Sequence, residues 1–171
     1  IPLRLVGSEM CIRDRHKTYR LASDSRVFDT GGFKSTRTDM TVDDLYVAFA
    51  RALGVDRSHC VNMYGMTELS SQIYDQNILS YYTDGSLNYS KETPSWVRSV
   101  FLDPATLAPV PDGEQGVIAH YDLANWNSCL AILTEDLGVR SSYGYTLNGR
   151  AKGAEARGCS ITVDEVMAAN A

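Results

Sequence analysis

The first part of the chain shows the apolar spacing of two short strands and one helix between them. Residues 26–29 form an apolar-containing run that stops at Gly31-Gly32, which is typical of a strand followed by a turn. From Thr41, a predicted N-cap, to Gly54, a predicted stop, apolar residues recur at helical spacing: Leu45, Ala48, Phe49, Ala52 and Leu53. A second strand is predicted at Cys60–Tyr64. This order indicates a parallel α/β unit with a right-handed crossover.

After Asn88 the pattern changes to short β-prone runs separated by turn clusters. The predicted strands cover residues 96–102, 116–121, 129–133, 138–142 and 145–148, and turn residues gather at 103–104 and 109–113. We therefore expect an α/β fold in which residues 16–94 form the α/β part and residues 95–150 a small, mostly antiparallel β-subdomain. Residues 151–171 are predicted to be a separate C-terminal segment.

Composition excludes some classes of function. The chain has 171 residues, 44% of them hydrophobic, and a net charge of -5, whereas nucleic-acid binding relies on clustered Lys and Arg. No run approaches the roughly 20 apolar residues that a membrane span requires, and the N-terminus lacks the layout of a secretory signal. A soluble, cytoplasmic protein is expected.

The cysteines and histidines do not have the spacing of a metal site. The four cysteines are far apart and form no C-x-x-C pair, so neither a zinc site nor a disulfide framework is predicted. Cys60 and Cys129 fall within predicted strands, and both are predicted to be core residues. His16, His59 and His120 are equally scattered.

The first fifteen residues have no helical or strand period. The string at residues 6–15 resembles a translated sequencing adaptor, so residues 1–15 are interpreted as a non-native segment, with no function for Cys11. An ordinary N-terminal strand is the alternative.

Residues 62–69, N-M-Y-G-M-T-E-L, have a composition that suits a nucleotide. Gly65 would let the backbone approach a phosphate, Thr67 could donate a hydrogen bond to an oxygen, and Glu68 could hold magnesium. The alternative interpretation is a helix start, with Thr67 as the cap and Glu68 favourable near the positive end of the helix dipole.

The segment Tyr64-Gly65-Met66-Thr67-Glu68 resembles the Y-G-x-T-E motif of the adenylate-forming superfamily, whose members join a carboxylic acid to AMP before passing the acyl group to a thiol. The resemblance implies that Tyr64 packs on adenine, Thr67 contacts the AMP phosphate and Glu68 helps to bind magnesium. It also implies that the chain is part of that superfamily's large domain.

Two further segments follow in the order of that superfamily. Residues 111–118 resemble its G-E-x-G strand, and residues 133–138, L-T-E-D-L-G, resemble its T-G-D-x-G motif, which gives Asp136 the role of binding the ribose hydroxyls. Glu135 departs from the usual Gly and favours a divergent branch. A turn between strands is the alternative interpretation of Asp136.

Gly149-Arg150 resembles the G-R-x-D segment near the junction of the large and small domains, which implies that Arg150 reaches the nucleotide. Lys152 stands where the aspartate would be, so a hinge mechanism is not transferred. The segments 121–125 and 149–160 are closest to the acyl-protein synthetase branch, and the resemblance covers about residues 24–166.

That branch makes acyl-AMP from a fatty acid and ATP and transfers the acyl group to its own cysteine near the C-terminus, to supply a reductase or transferase. Cys159 matches the position, and a thiolate is a suitable acceptor; a buried structural cysteine is the alternative.

Some parts of the superfamily's machinery are not visible in the sequence. A phosphate loop is expected upstream of His16, and no small C-terminal domain with a catalytic lysine is recognised. The chain is therefore expected to be a C-terminal fragment without activity of its own, and the glycine-rich turn at residues 31–34 either borders the acyl pocket or is a plain turn. The alternative functions are a coenzyme A ligase resembling phenylacetate ligases and a non-catalytic nucleotide-binding domain.

Overall fold

A computed structural model describes residues 18–30 and 42–151. The fold is mixed α/β, as predicted, and the described residues divide into two compact units. The first unit contains residues 18–29, 42–63 and 75–89, and the second contains residue 30 with residues 64–74 and 90–151. Several features singled out in the sequence lie outside the described residues: the segment 1–15, the turn at 31–34, Thr41, Lys152 and Cys159. The predicted division into domains stays a prediction.

The first unit has the predicted order of strand, helix and strand. Strand β1 covers Val27–Thr30, helix α1 covers Val42–Leu53, and strand β2, which lies next to β1 in the sheet, covers Cys60–Tyr64 after a short 3-10 turn. Helix α1 stops at Gly54, whose φ of 68° is left-handed and whose amide donates to the Ala50 carbonyl at 3.0 Å. The helix therefore ends where the sequence predicted.

The core of the first unit differs in one position from the predicted apolar face of α1. Tyr46 is buried, whereas Ala48 is exposed. The Tyr46 hydroxyl donates to Asp29 at 2.9 Å, which explains how an aromatic residue with a polar end is accommodated. Cys60 is fully buried, and this confirms its predicted place in the core.

A second helix, α2 at Asn77–Asp84, was not predicted. Its sequence, N-I-L-S-Y-Y-T-D, contains few strong helix formers, so propensity gives little signal. The buried Asn77 side chain donates to the carbonyls of Arg57 and Cys60, at 2.6 and 3.1 Å, and Gly85 ends the helix with a φ of 78°. Tertiary hydrogen bonds and the glycine thus define this helix.

The second unit contains an antiparallel ladder, as predicted after Asn88. The unit contains residues 73–74 of the short strand β3 (Ile73–Asp75). The strands of the ladder are β4 (Lys91–Glu92), β5 (Val97–Leu102), β6 (Gln115–Asp122), β7 (Ala131–Ser141) and β8 (Gly144–Arg150). The neighbours run β4-β8-β7-β6-β5, and each pair is antiparallel. The two predicted runs at 129–133 and 138–142 are one strand, because pairing with β6 and β8 carries the polar residues between them along β7.

Cys129 was predicted to be a core residue, and this prediction is wrong. The residue precedes β7 and is exposed, with its thiol 3.4 Å from the Ala131 carbonyl oxygen. The predicted strand begins at residue 129, two residues before the observed start of β7 at Ala131.

No helix within residues 18–30 and 42–151 has both the length and the apolar character needed to cross a bilayer.

The core of the second unit should depend most on its fully buried side chains. Ile118 is 0% exposed and packs in a cluster with Leu69, Ile73, Phe101 and Tyr145, whereas Leu133 on the neighbouring strand is 53% exposed. We expect Ile118→Ala to lower the free energy of unfolding by about 2–5 kcal/mol, because it removes buried carbon and leaves a cavity. The matched change Leu133→Ala removes as many carbon atoms from an exposed position. Chemical denaturation of both variants tests this, and equal losses would contradict it.

Candidate active site

The motif that follows β2 forms a turn. The Leu69 amide donates to the Met66 carbonyl at 3.1 Å, and this places Thr67 and Glu68 at the exposed middle of the turn. No helix begins there, so the alternative interpretation of Thr67 as a helix cap is wrong. Both side chains are open to solvent and available to a ligand.

Two residues at and just beyond the end of strand β6, Asp122 and Asn125, hold this turn and the residues that follow it. The Asn125 amide donates to the Glu68 carbonyl at 2.6 Å, and its carbonyl oxygen accepts from the Ser70 hydroxyl. Asp122 accepts from the Ser71 amide and from the Ser71 hydroxyl, each at 2.9 Å. Asp122 and Asn125 are buried, so their hydrogen bonds are shielded from water. Buried side chains therefore hold the backbone of the exposed turn in place.

Asp136 lies inside strand β7, which overturns its interpretation as a turn residue. The ladder between β7 and β8 is irregular between Asp136 and Gly138. A Cβ atom at Gly138 would lie 2.7 Å from the Thr146 carbonyl oxygen and 2.9 Å from the Ile118 Cδ1 atom. The glycine of the T-E-D-L-G segment is thus required by close packing beside Asp136.

Tyr64 and Asp136, which are 72 residues apart in sequence, are joined directly. The Tyr64 hydroxyl donates to the Asp136 Oδ2 atom at 2.7 Å. Burial raises the pKa of Tyr64 far above its ordinary value, and the nearby Asp136 carboxylate raises it further. Tyr64 therefore stays a hydrogen-bond donor. The two residues that the motifs singled out for the nucleotide are thus hydrogen-bonded to each other.

Arg150 is the cross-strand partner of Asp136. Its Nε atom lies 3.3 Å from Asp136 Oδ1, and its Nη2 atom donates to Glu135 Oε2 at 2.6 Å. The side chain is 35% exposed, so it keeps access to solvent. Glu135, the departure from the T-G-D-x-G pattern, thus shares this guanidinium with Asp136.

Sequence reasoning missed two buried residues, His120 and Ser99, of which His120 contacts Tyr64. His120 is 0% exposed; its Nδ1 atom is 2.8 Å from the Ser99 hydroxyl, and its Nε2 atom is 3.4 Å from the Tyr64 hydroxyl. Burial lowers the pKa of His120 to about 4, although the carboxylates of Asp136 and Asp122 act in the opposite direction. His120 is therefore neutral near pH 7. The signal available in the sequence was a histidine inside the apolar strand sequence G-V-I-A-H-Y-D, but this pattern does not indicate which residues the histidine contacts.

The carboxylate of Asp136 has acceptor positions left over that suit the hydroxyls of a nucleotide. An ionised carboxylate has about four acceptor positions. Asp136 uses one for Tyr64 and one for Arg150, and its side chain is 22% exposed. Acceptor positions therefore remain for a pair of ribose hydroxyls.

A magnesium ion would find one carboxylate in the turn, that of the exposed Glu68. Within residues 18–30 and 42–151, no three His, Cys, Asp or Glu side chains are grouped as a metal site. Magnesium that binds together with a nucleotide takes one or two carboxylates, and phosphates and water complete its coordination. Glu68 fits that use.

The predicted site residues thus fall into three groups. Asp136 is in direct contact with both Tyr64 and Arg150, as the distances show. Gly65, Thr67 and Glu68 are exposed in the segment that follows Tyr64. Cys159 lies outside the described residues.

Solved structures with similar folds include larger enzymes. ATP-bound MatB from Rhodopseudomonas palustris is 20% identical, with a TM-score of 0.45, over 63% of this chain and 23% of that protein. A long-chain-fatty-acid-CoA ligase from Archaeoglobus fulgidus is 17% identical, with a TM-score of 0.47, over 84% of this chain and 32% of that protein.

Sequence comparison gives more specific relatives. A long-chain-fatty-acid–luciferin-component ligase from Aliivibrio fischeri is 41% identical over 49 residues, which are 29% of this chain and 13% of that protein. The sequence model of the family described as acyl-protein synthetase, LuxE, matches residues 5–168. The resemblance predicted from the motifs is confirmed, and the chain belongs to the acyl-protein synthetase (LuxE) family.

Proposed function

We propose that this chain supplies nucleotide-binding residues to an acyl-protein synthetase, which activates a fatty acid with ATP as an acyl adenylate and transfers the acyl group to a protein thiol. The observation that carries the proposal is the direct contact of Tyr64 with Asp136, and of Asp136 with Arg150. Membership of the acyl-protein synthetase family supports the same activity.

The residues in contact have side chains that suit the parts of AMP. Asp136 would accept hydrogen bonds from the ribose hydroxyls, and the planar guanidinium of Arg150 would donate to ribose or phosphate oxygens. The Tyr64 ring would pack on adenine while its hydroxyl stays bound to Asp136. Thr67, in the exposed turn, would donate to the phosphate, and Glu68 would share in holding magnesium.

In the first step, a carboxylate oxygen of the fatty acid bonds to the α-phosphorus of ATP, and the bond from that phosphorus to pyrophosphate breaks. In the second step, a thiolate sulfur bonds to the acyl carbon, and the carbon–oxygen bond to AMP breaks. Magnesium, when bound, would offset the negative charge of the phosphates. The residues of this chain bind and orient the adenylate, so that the two reacting groups meet in line.

Cys159 is the proposed acceptor thiol, and a reductase or transferase would then take the acyl group. Cys60 is unsuitable, because it is fully buried and burial raises the pKa of its thiol to about 11. Cys129 is exposed and is therefore the thiol against which the role of Cys159 must be tested.

The role of Asp136 gives a binding prediction. We expect Asp136→Asn to weaken AMP binding by roughly ten- to a hundredfold, because a charged acceptor is replaced by an amide that donates at one position. Asp112→Asn is the matched control, since Asp112 is 66% exposed and pairs only loosely with Arg140, at 3.7 Å. Calorimetric titration of the complete protein with AMP measures both. Equal affinity in the two variants would contradict the role of Asp136.

The role of Cys159 gives a covalent prediction. After incubation of the complete protein with ATP, magnesium and a panel of fatty acids, intact-mass analysis should show one acyl adduct that hydroxylamine removes. The adduct should be absent in Cys159→Ala and present in Cys129→Ala. An adduct lost only in Cys129→Ala would assign the acceptor to Cys129. AMP release that needs coenzyme A, without an adduct, would make the protein a coenzyme A ligase, and nucleotide binding without AMP release would indicate a non-catalytic domain.

A further inference from the structure

His120 is placed where its proton can control the direction of the hydrogen bonds that reach Asp136. It lies on β6 directly opposite Ser99 on β5, and its ring is tilted 46° to the Tyr64 ring, with centroids 5.6 Å apart. Both ring nitrogens face a hydroxyl, those of Ser99 and Tyr64. The imidazole thus stands between one strand of the ladder and the tyrosine of the candidate site.

Asp136, Tyr64, His120 and Ser99 form a series of contacts, and the carboxylate of Asp136 at one end determines where the protons lie. An ionised carboxylate can only accept, so the Tyr64 hydroxyl donates to Asp136 and its oxygen is left to accept from a neighbour. His120 can fill this need only with its proton on Nε2. Its Nδ1 atom then carries the lone pair and accepts from the Ser99 hydroxyl at 2.8 Å. All donors then point towards Asp136.

Burial, and not the neighbouring groups, keeps His120 neutral. Ser99 and Tyr64 are uncharged, and the carboxylates of Asp136 on β7 and Asp122 on β6 favour a charged ring. Burial outweighs them. A neutral imidazole has a single ring proton, so the tautomer is fixed by its two partners.

A histidine is a costly choice for this position if it only fills space. A buried polar side chain loses its bonds to water, and an apolar residue of similar size is often as stable or more stable in such a place. The arrangement is therefore better explained by what it does to Tyr64.

We propose that His120, held by Ser99, is a positioning residue that directs the Tyr64 hydroxyl at Asp136 and so sets both side chains for the nucleotide. This inference rests on the proposed function, because it assigns His120 to the same nucleotide site.

The tautomer can be measured without any ligand. In the protein labelled with 15N in its histidines, the His120 ring should show a protonated Nε2 and an unprotonated Nδ1 at pH 7, and Ser99→Ala should weaken this preference. A proton on Nδ1 in the parent protein would overturn the inference.

The neutral state of His120 also predicts a pH effect with a definite sign. The folded pKa of about 4 lies below the ordinary value of 6.5, so between these values the unfolded chain binds more protons. Stability should therefore fall as the pH drops from 6.5 to 4, and the fall should be smaller in His120→Gln. Urea denaturation at a series of pH values measures it, and an identical fall in both proteins would contradict the buried, neutral ring.

A double-mutant cycle tests whether His120 acts through Tyr64. We expect His120→Leu to weaken AMP binding to the complete protein by roughly three- to tenfold, the range of one hydrogen bond. His120→Gln, which keeps a donor near the Nε2 position, should restore most of the affinity. In a Tyr64→Phe background, His120→Leu should have little further effect, because its target hydroxyl is already missing.

The outcomes separate this inference from the proposed function. Failure of the parent protein to bind AMP would overturn the proposed function and the positioning role together. Normal AMP affinity in His120→Leu, or equal losses with and without the Tyr64 hydroxyl, would overturn the positioning role alone. Thermal melts identify any variant that fails to fold, and His120→Gln with the double-mutant cycle then decides the question.

Discussion

The hydrogen bond from the Tyr64 hydroxyl to Asp136 is the contact on which the candidate site depends. It joins Tyr64 to the middle of β7 at 2.7 Å, a distance that tolerates little error in the position of either residue. Gly138 permits the close packing beside Asp136, since a side chain there would collide with the neighbouring strand. The neutral ring of His120 lies behind the tyrosine. The position of this hydrogen bond therefore depends both on the close backbone packing at Gly138 and on the buried contact with His120.

The exposed turn needs a different kind of support. A segment that receives a nucleotide must face solvent, and such a segment has few apolar contacts to hold it. Here the support comes from buried polar side chains, because Asn125 binds the carbonyl of Glu68 and Asp122 binds Ser71. The turn can thus expose Thr67 and Glu68 while its backbone stays in place.

Much of the ladder could be predicted from the sequence, because strand residues repeat with a period of two and turn residues separate them. Helix α2 could not, since tertiary bonds to Asn77 define it, and Cys129 was misplaced because apolar character alone does not mark a strand end. Motifs indicated Tyr64 and Asp136 as separate residues, but no local pattern indicated their contact. His120 was missed for the same reason, because its proposed role depends on contacts with Ser99 and Tyr64, which lie elsewhere in the sequence.

Charge places a further limit on how this site can act. Glu135 takes one side of the Arg150 guanidinium and Asp136 takes another, so the cation is shared by two carboxylates. Together with Glu68, the described site residues carry three negative charges against one positive charge. Such a set suits ribose hydroxyls, which are neutral donors, and repels a triphosphate. In the proposed function, the phosphates of ATP would therefore be balanced by magnesium and by cationic groups outside this set, whereas Tyr64 and Asp136 would bind the nucleoside.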